Sequence, residues 1–247
     1  FGISRANVPS GYQKYVGMFS EQNYQFILTF NKKIAEDFSV NALAGVNALR
    51  TKSNSTLAST DGGLIIPGIY ALSNSVNLSP FPVETENNSA VNSAYASVSL
   101  GYKDFLYLEA TGRNDWFSML NDDQFYPSVT GSFVFSNVLK ADWLSFGKLR
   151  AGWSNIAGGS DPYIRNTYAT IGTPFSGDPI YSMPATFNNP LIKPELKTTK
   201  EIGLEASFFK NRLGFDVTLY DVKTTDLIIP LPVDPATGYE FKRINAG

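Results

Sequence analysis

Histidine and cysteine are both absent from this chain of 247 residues. That removes thiol nucleophiles, the Ser/His and Cys/His catalytic pairs, and nearly every zinc, haem or iron–sulfur site a chain could build alone. A chain without cysteine suits the cytosol and the cell surface alike. Charge is also scarce, at 17% Asp, Glu, Lys and Arg, against about 25% in average soluble proteins. No apolar run approaches the roughly 18 residues of a membrane helix. The nearest, around Leu64 to Leu72, is interrupted by Pro67 and Gly68. A helical membrane protein is excluded. A net charge of -2 and the lack of a basic stripe give no footprint for nucleic acid. Phe1 is not a start residue and no charged-then-apolar leader follows it, so the sequence reads as a mature or internal piece.

What the chain does have is alternation. Between Thr198 and Thr225, Ile202, Leu204, Ala206 and Phe208 point one way, with Glu201, Gly203, Glu205 and Ser207 opposite. After a turn at Lys210, Asn211 and Arg212, Leu213, Phe215, Val217 and Leu219 alternate with Gly214, Asp216, Thr218 and Tyr220. Period two marks a sheet with one apolar and one polar face. About ten residues per strand is too long for an ordinary sandwich and is the length of a tilted transmembrane strand. Further strands are expected at Gly11–Phe19, Gln22–Asn31, Phe38–Leu49, Asn92–Tyr102, Phe105–Arg113, Tyr126–Ser136, Phe146–Asn155 and Tyr239–Asn245.

Connection lengths carry a second signal. Long polar or proline-rich stretches at about 50–91, 156–197 and 226–238 alternate with short turns such as Lys103–Asp104. In an up-and-down sheet, alternate turns share an end, which reproduces the short periplasmic turns and long extracellular loops of outer-membrane barrels. Aromatics crowd the short-turn end: Phe30 and Phe38, Tyr102 and Phe105, Phe135 and Trp143, Phe208 and Phe215. A girdle at the headgroup level would place them there.

Several segments, in order, resemble the SusC/RagA-like TonB-dependent outer-membrane transporters of Bacteroidetes. They are YLEATGRNDWFSML from Tyr107, FYPSVTGSFVFSNVL from Phe125, LSFGKLRAGWSNIAGGSDPY from Leu144, the stretch from Asn188 through the hairpin to Pro232, and TGYEFKRINAG from Thr237. The likeness covers nearly everything from Asn92 onward. It implies an all-β fold: an antiparallel transmembrane β-barrel portion, with about nine or ten strands of a presumed 22-stranded barrel. The plug and the TonB-contacting N-terminal segment are not found in this sequence, so the chain is expected to be a fragment that does not fold alone. The resemblance also implies import of large nutrients, oligosaccharides or peptides, across the cell outer membrane. The partners implied are the rest of the barrel and its plug, a SusD-like surface lipoprotein, TonB and outer-membrane lipid. No enzyme activity, cofactor or metal is implied.

Glu109, Arg113, Asp115 and Trp116 are the substrate-binding candidates. The first three stand on the polar face, where they contact cargo or plug, or else form a solvated wall network; the same two readings hold for Glu201 and Glu205. Trp116, Phe117, Tyr163 and Tyr168 fall in or beside the outer loops, where they stack on sugar rings, meet a lid protein, or pack the loops themselves. Asn121-Asp122-Asp123 lacks the spacing of a calcium loop. Three Asn-X-Ser/Thr sequences, at Asn54, Asn77 and Asn87, are plain loop polarity in a bacterial outer membrane. Two competitors share most of these features: a passive porin, and a secreted soluble β-sandwich whose apolar faces would pack on each other.

Overall fold

The structure is a computed structural model and describes residues 10–120, 123–172 and 174–247. Strands β1 (Gln13–Ala35), β2 (Phe38–Ser59), β3 (Asp61–Leu64), β4 (Ser75–Asn77), β5 (Val83–Tyr102), β6 (Leu106–Phe117), β7 (Gln124–Phe133) and β8 (Leu144–Gly158) come first. The short β9 (Thr170–Ile171), β10 (Tyr181–Ser182) and β11 (Thr186–Phe187) precede β12 (Glu195–Phe208), β13 (Leu213–Thr225), β14 (Leu227–Pro232) and β15 (Phe241–Ala246). Eight of these form one sheet in the order β1-β2-β5-β6-β7-β8-β12-β13, so spatial neighbours follow chain order and β1 and β13 are its edges.

Register turns alternation into two faces. Across the sheet Leu100 stands opposite Leu108, then Gly131, Ala151, Ile202 and Leu219 in turn. One residue along, the row is Ser99, Glu109, Thr130, Gly152, Glu201 and Tyr220. The first face is not packed on anything among the described residues: Leu108, Val129 and Ile202 are each 50% exposed and Val217 is 53% exposed. A continuous apolar surface of this extent is foreign to a soluble monomer and native to a barrel in hydrocarbon. The soluble sandwich fails here, because its two apolar faces would cover each other.

The apolar band is bounded at both ends. At the short-turn end a belt of rings runs Phe38–Tyr102 (4.7 Å), Tyr102–Phe105 (5.4 Å), Phe105–Phe133 (5.9 Å) and Phe133–Phe135 (6.5 Å). Trp143 stacks on Phe208 at 5.9 Å, and Phe208 meets Phe215 at the same distance. The Phe135 ring lies directly over Gly147, in space a β-carbon would fill. At the other end, charge appears on the same face, with Lys200 opposite both Trp153 and Asp221. Between Leu213 and Asp221 lies the run of β13 that carries no charge on this side.

Four expectations change. Gly11–Phe19 and Gln22–Asn31 belong to one strand, β1. The strand expected at Tyr239–Asn245 is β15, beginning at Phe241, and it pairs with β14 and β11 in a separate three-stranded sheet. The large sheet therefore has eight strands where about nine or ten were expected. The polar stretch 50–91 is not all loop, since β2 continues to Ser59 and β5 begins at Val83. Ser, Thr and Asn paired across strands hold extended backbone without an apolar face, so the pattern that reveals a lipid-facing strand is missing there. Likewise the stretch 226–238 contains β14, whose Pro230 and Pro232 occupy an edge strand, where a missing N–H is tolerated.

The chain divides into two compact units. One comprises residues up to Gln22, Arg50–Ser89 and Thr170–Ser182. In it Asn74 is buried and folds the Ile65–Tyr70 turn, donating to the carbonyls of Ile66 (2.8 Å) and Ile69 (2.7 Å) and accepting from the Ile66 N–H (3.1 Å). The other comprises Asn23–Leu49, Ala90–Ala169 and Met183–Gly247. It holds both face rows, the aromatic belt, and a small core of Leu120, Ile164 and Ile192, against which Phe117, Met119 and Ile228 pack.

Candidate functional site

The polar face of the larger unit is layered. Its middle layer is uncharged: Ser97, Thr111, Ser128, Ser154 and Thr199 stand side by side across five strands, and the Thr111 and Ser128 hydroxyls hydrogen-bond at 2.5 Å. Charged groups flank it on both sides.

Toward the long connections is Arg113. Its Nε donates to Asp115 Oδ1 at 2.7 Å and its Nη2 to Ser93 Oγ at 2.9 Å. The guanidinium also lies over the Tyr95 ring, 5.8 Å from its centroid, and Gln25 Nε2 donates to the Tyr95 hydroxyl at 2.5 Å. Gly45 makes room for that ring, since a β-carbon there would come within 2.5 Å of it. Asp115 and Ser93 are buried, whereas the Arg113 side chain is 43% exposed. A cation held on three sides and open on the fourth is oriented toward the space the polar face bounds.

Toward the short turns is Arg150. Its Nη2 donates to both carboxylate oxygens of Asp216, at 2.7 and 3.0 Å, and to Thr218 Oγ1 at 2.6 Å; Glu205 lies 3.9 Å from Nη1. Glycine at position 203 leaves space for this side chain. Arg150 therefore ties β8 to β13 across β12. Beside it is a recess of about 230 Å³ whose lining includes Glu109, Lys148, Arg150 and Glu201.

Of the sequence candidates, Arg113 and Asp115 are joined directly, and Glu109 shares their face on the far side of the hydroxyl layer. Trp116 does not join them. It stands opposite Asn92 on the apolar face, 47% exposed, beside a hollow of about 610 Å³ lined with Tyr24, Phe26, Val46 and Ala94. Phe117 packs on the Leu120 core. Tyr163 and Tyr168 remain exposed, and the Tyr168 hydroxyl accepts from Asn166 Nδ2 at 3.1 Å. Asn121 and Asp122 lie outside the described residues, and Asp123 accepts from Asn114 Nδ2 at 2.9 Å. Sequence reading missed Arg150 and Tyr95 as organisers. Parity puts both on the polar face, but only register shows what each one touches.

A family model described as TonB dependent receptor-like, beta-barrel matches residues 3–247. The chain belongs to this family. As a TonB-dependent receptor barrel it is an outer-membrane protein, which accounts for the exposed apolar face. TonB-dependent receptor P26 of Formosa agariphila is 25% identical over 249 residues, covering 91% of this chain and 24% of that protein. TonB-dependent receptor P3 of the same organism is 26% identical over 65% of this chain and 17% of its own length. The chain thus spans about a quarter or less of the curated relatives it matches. Among solved structures, the RagAB peptide transporter superposes with a TM-score of 0.84 at 21% identity, covering 95% of this chain and 27% of that one. The ferripyoverdine receptor of Pseudomonas aeruginosa superposes at 0.58 and 16% identity over 98% of this chain and 31% of the other.

Proposed function

We propose that this chain supplies barrel wall and outer loops to a TonB-dependent importer of large nutrients, oligosaccharides or peptides. The observation that carries the reading is the pairing of one exposed apolar face with one layered charged and hydroxyl face on a single up-and-down sheet, in a chain of this family. The apolar face meets lipid. The polar face bounds the lumen, where Glu109, Arg113 and Asp115 line the path of cargo or the surface of a plug. The long connections face outward and receive a SusD-like lipoprotein, and coupling to TonB belongs to a region beyond this chain. The fit to RagAB, a solved peptide importer, supports the fold of such a transporter.

The test is uptake by cells carrying the full-length receptor, compared with cells lacking its gene and with cells lacking TonB. Import of a labelled oligomer pool that disappears in both deletions supports the proposal. Uptake that survives loss of TonB would instead identify a passive pore.

A further inference from the structure

At the long-connection end of the larger unit, a polar recess of about 420 Å³ is walled by the segment that follows β8 and by β12, β14 and β15. Its lining includes Ser160, Asp161, Glu195, Ile228, Pro230 and Arg243. Glu195 lies on the polar face, opposite Gly158 and in step with Thr199 and Glu201. The recess therefore opens on the same side of the sheet as the proposed lumen.

Its walls are fastened. Asn245 accepts from the Lys193 N–H at 2.9 Å and donates to the carbonyls of Lys193 (3.0 Å) and Asp226 (2.8 Å), which clamps β15 to the segment before β12. One oxygen of Glu195 accepts from the Ile228 N–H at 2.8 Å, which fixes the start of β14. Ile228 also packs on the Leu120–Ile164–Ile192 core. Arg243 stands opposite Pro230 in the β14–β15 ladder.

The Arg243 side chain is half-buried and makes no hydrogen bond or ion pair among the described residues, and the Asp161 carboxylate makes none either. Asp161 and Glu195 line the same recess, but neither is within ion-pair distance of Arg243, so the guanidinium is left for a ligand carboxylate to meet. The recess offers a free guanidinium, a free carboxylate, one further carboxylate oxygen on Glu195, and an aliphatic patch from Ile228 and Pro230. It has no aromatic ring among its lining residues on which a sugar could stack.

We propose that this recess is a binding subsite for the charged end of an oligopeptide. Arg243 receives the terminal carboxylate, Asp161 and the free oxygen of Glu195 receive N–H or ammonium groups, and Ile228 and Pro230 receive a small apolar side chain. The assignment rests on the import reading and narrows its cargo to peptides.

The experiment uses the full-length receptor in detergent and three pools of randomised pentapeptides: free termini, C-terminally amidated and N-acetylated. Binding is read by calorimetric titration, and oligogalacturonate serves as an acidic-sugar control. The free pool should bind, and amidation should weaken it about tenfold, the scale of one charge-assisted contact. Arg243→Gln should abolish the distinction between acid and amide while leaving the distinction between free and acetylated amine. Asp161→Asn should do the reverse, and Arg243→Lys should restore part of the carboxylate preference, which separates recognition from misfolding. Failure of the free pool to bind, equal binding of acid and amide, or Arg243-dependent binding of oligogalacturonate would each overturn the assignment. Import that requires TonB but is unchanged in Arg243→Gln would overturn the subsite and leave the importer reading standing.

Discussion

Adjacent residues in one strand meet different solvents, and that governs what each substitution does. Leu204 faces the apolar side, with Leu149 and Val217 as cross-strand neighbours, while Glu205 sits one residue on, facing Lys148 and Asp216. Leu204→Arg in the full-length receptor is expected to cost roughly 2–4 kcal/mol, measured by denaturant titration in lipid, with Glu205→Ala mild by comparison. Equal tolerance at the two sites would contradict the orientation. Gly45 makes a second case. Gly45→Val drives a side chain into the Tyr95 ring and should cost about 1–3 kcal/mol, the usual range for overpacking, by the same titration. The displaced ring also stops supporting Arg113. Both residues were legible in part: parity alone assigned Leu204 and Glu205 to opposite faces. The dependence of Arg113 on Gly45 through Tyr95 was not legible, because three strands meet there and no spacing within one strand encodes their register.

Elements were readable wherever lipid imposes a pattern. The hairpin β12–β13 follows its alternation closely, and the ring belt joins the aromatic positions expected at the short-turn end. The turns took more from backbone than from composition. Lys103 and Asp104 both have left-handed φ, 48° and 55°, the conformation of a primed hairpin turn, which the Phe105 N–H closes on the Tyr102 carbonyl at 3.1 Å, although neither turn residue is glycine or asparagine. Lys103 has reasons to stay, with Asp37 at 3.4 Å and the Tyr102 ring beneath its ammonium. Asp104 carries the conformation without a comparable side-chain partner among the described residues. Asp104→Gly should therefore stabilise the hairpin by about 1 kcal/mol, visible as a higher denaturation midpoint of the receptor in detergent. What could not be read were the upper parts of β2 and β5. Residues such as Lys52-Ser53-Asn54-Ser55-Thr56 form strand there, yet they are polar on both faces, so no alternation marks them.

At the scale of the whole molecule, the eight-stranded sheet ends in two edge strands, β1 and β13, exposed along all but the last residue of β13. Such edges are satisfied in a membrane only by further strands. The full-length receptor is expected to stay folded and monodisperse in detergent and to precipitate when detergent is removed. A monomer near 27.1 kDa, stable in plain buffer, would contradict this. The family match and the fragmentary coverage of its relatives agree with a larger barrel. Cargo identity was the least legible property, since the recess that bears on it is assembled from four segments scattered between Gly159 and Arg243.

The long strands have a further consequence. In β2 and β5 the wall continues as ladder for some twenty residues, so part of what reads as loop is sheet. A connecting segment accepts insertions of any length, whereas a ladder takes an odd one only as a bulge, because otherwise every side chain beyond it changes face. Length variation in this wall is therefore least costly where the two faces are alike, in the polar stretches of β2 and β5, and in the segments that connect the strands.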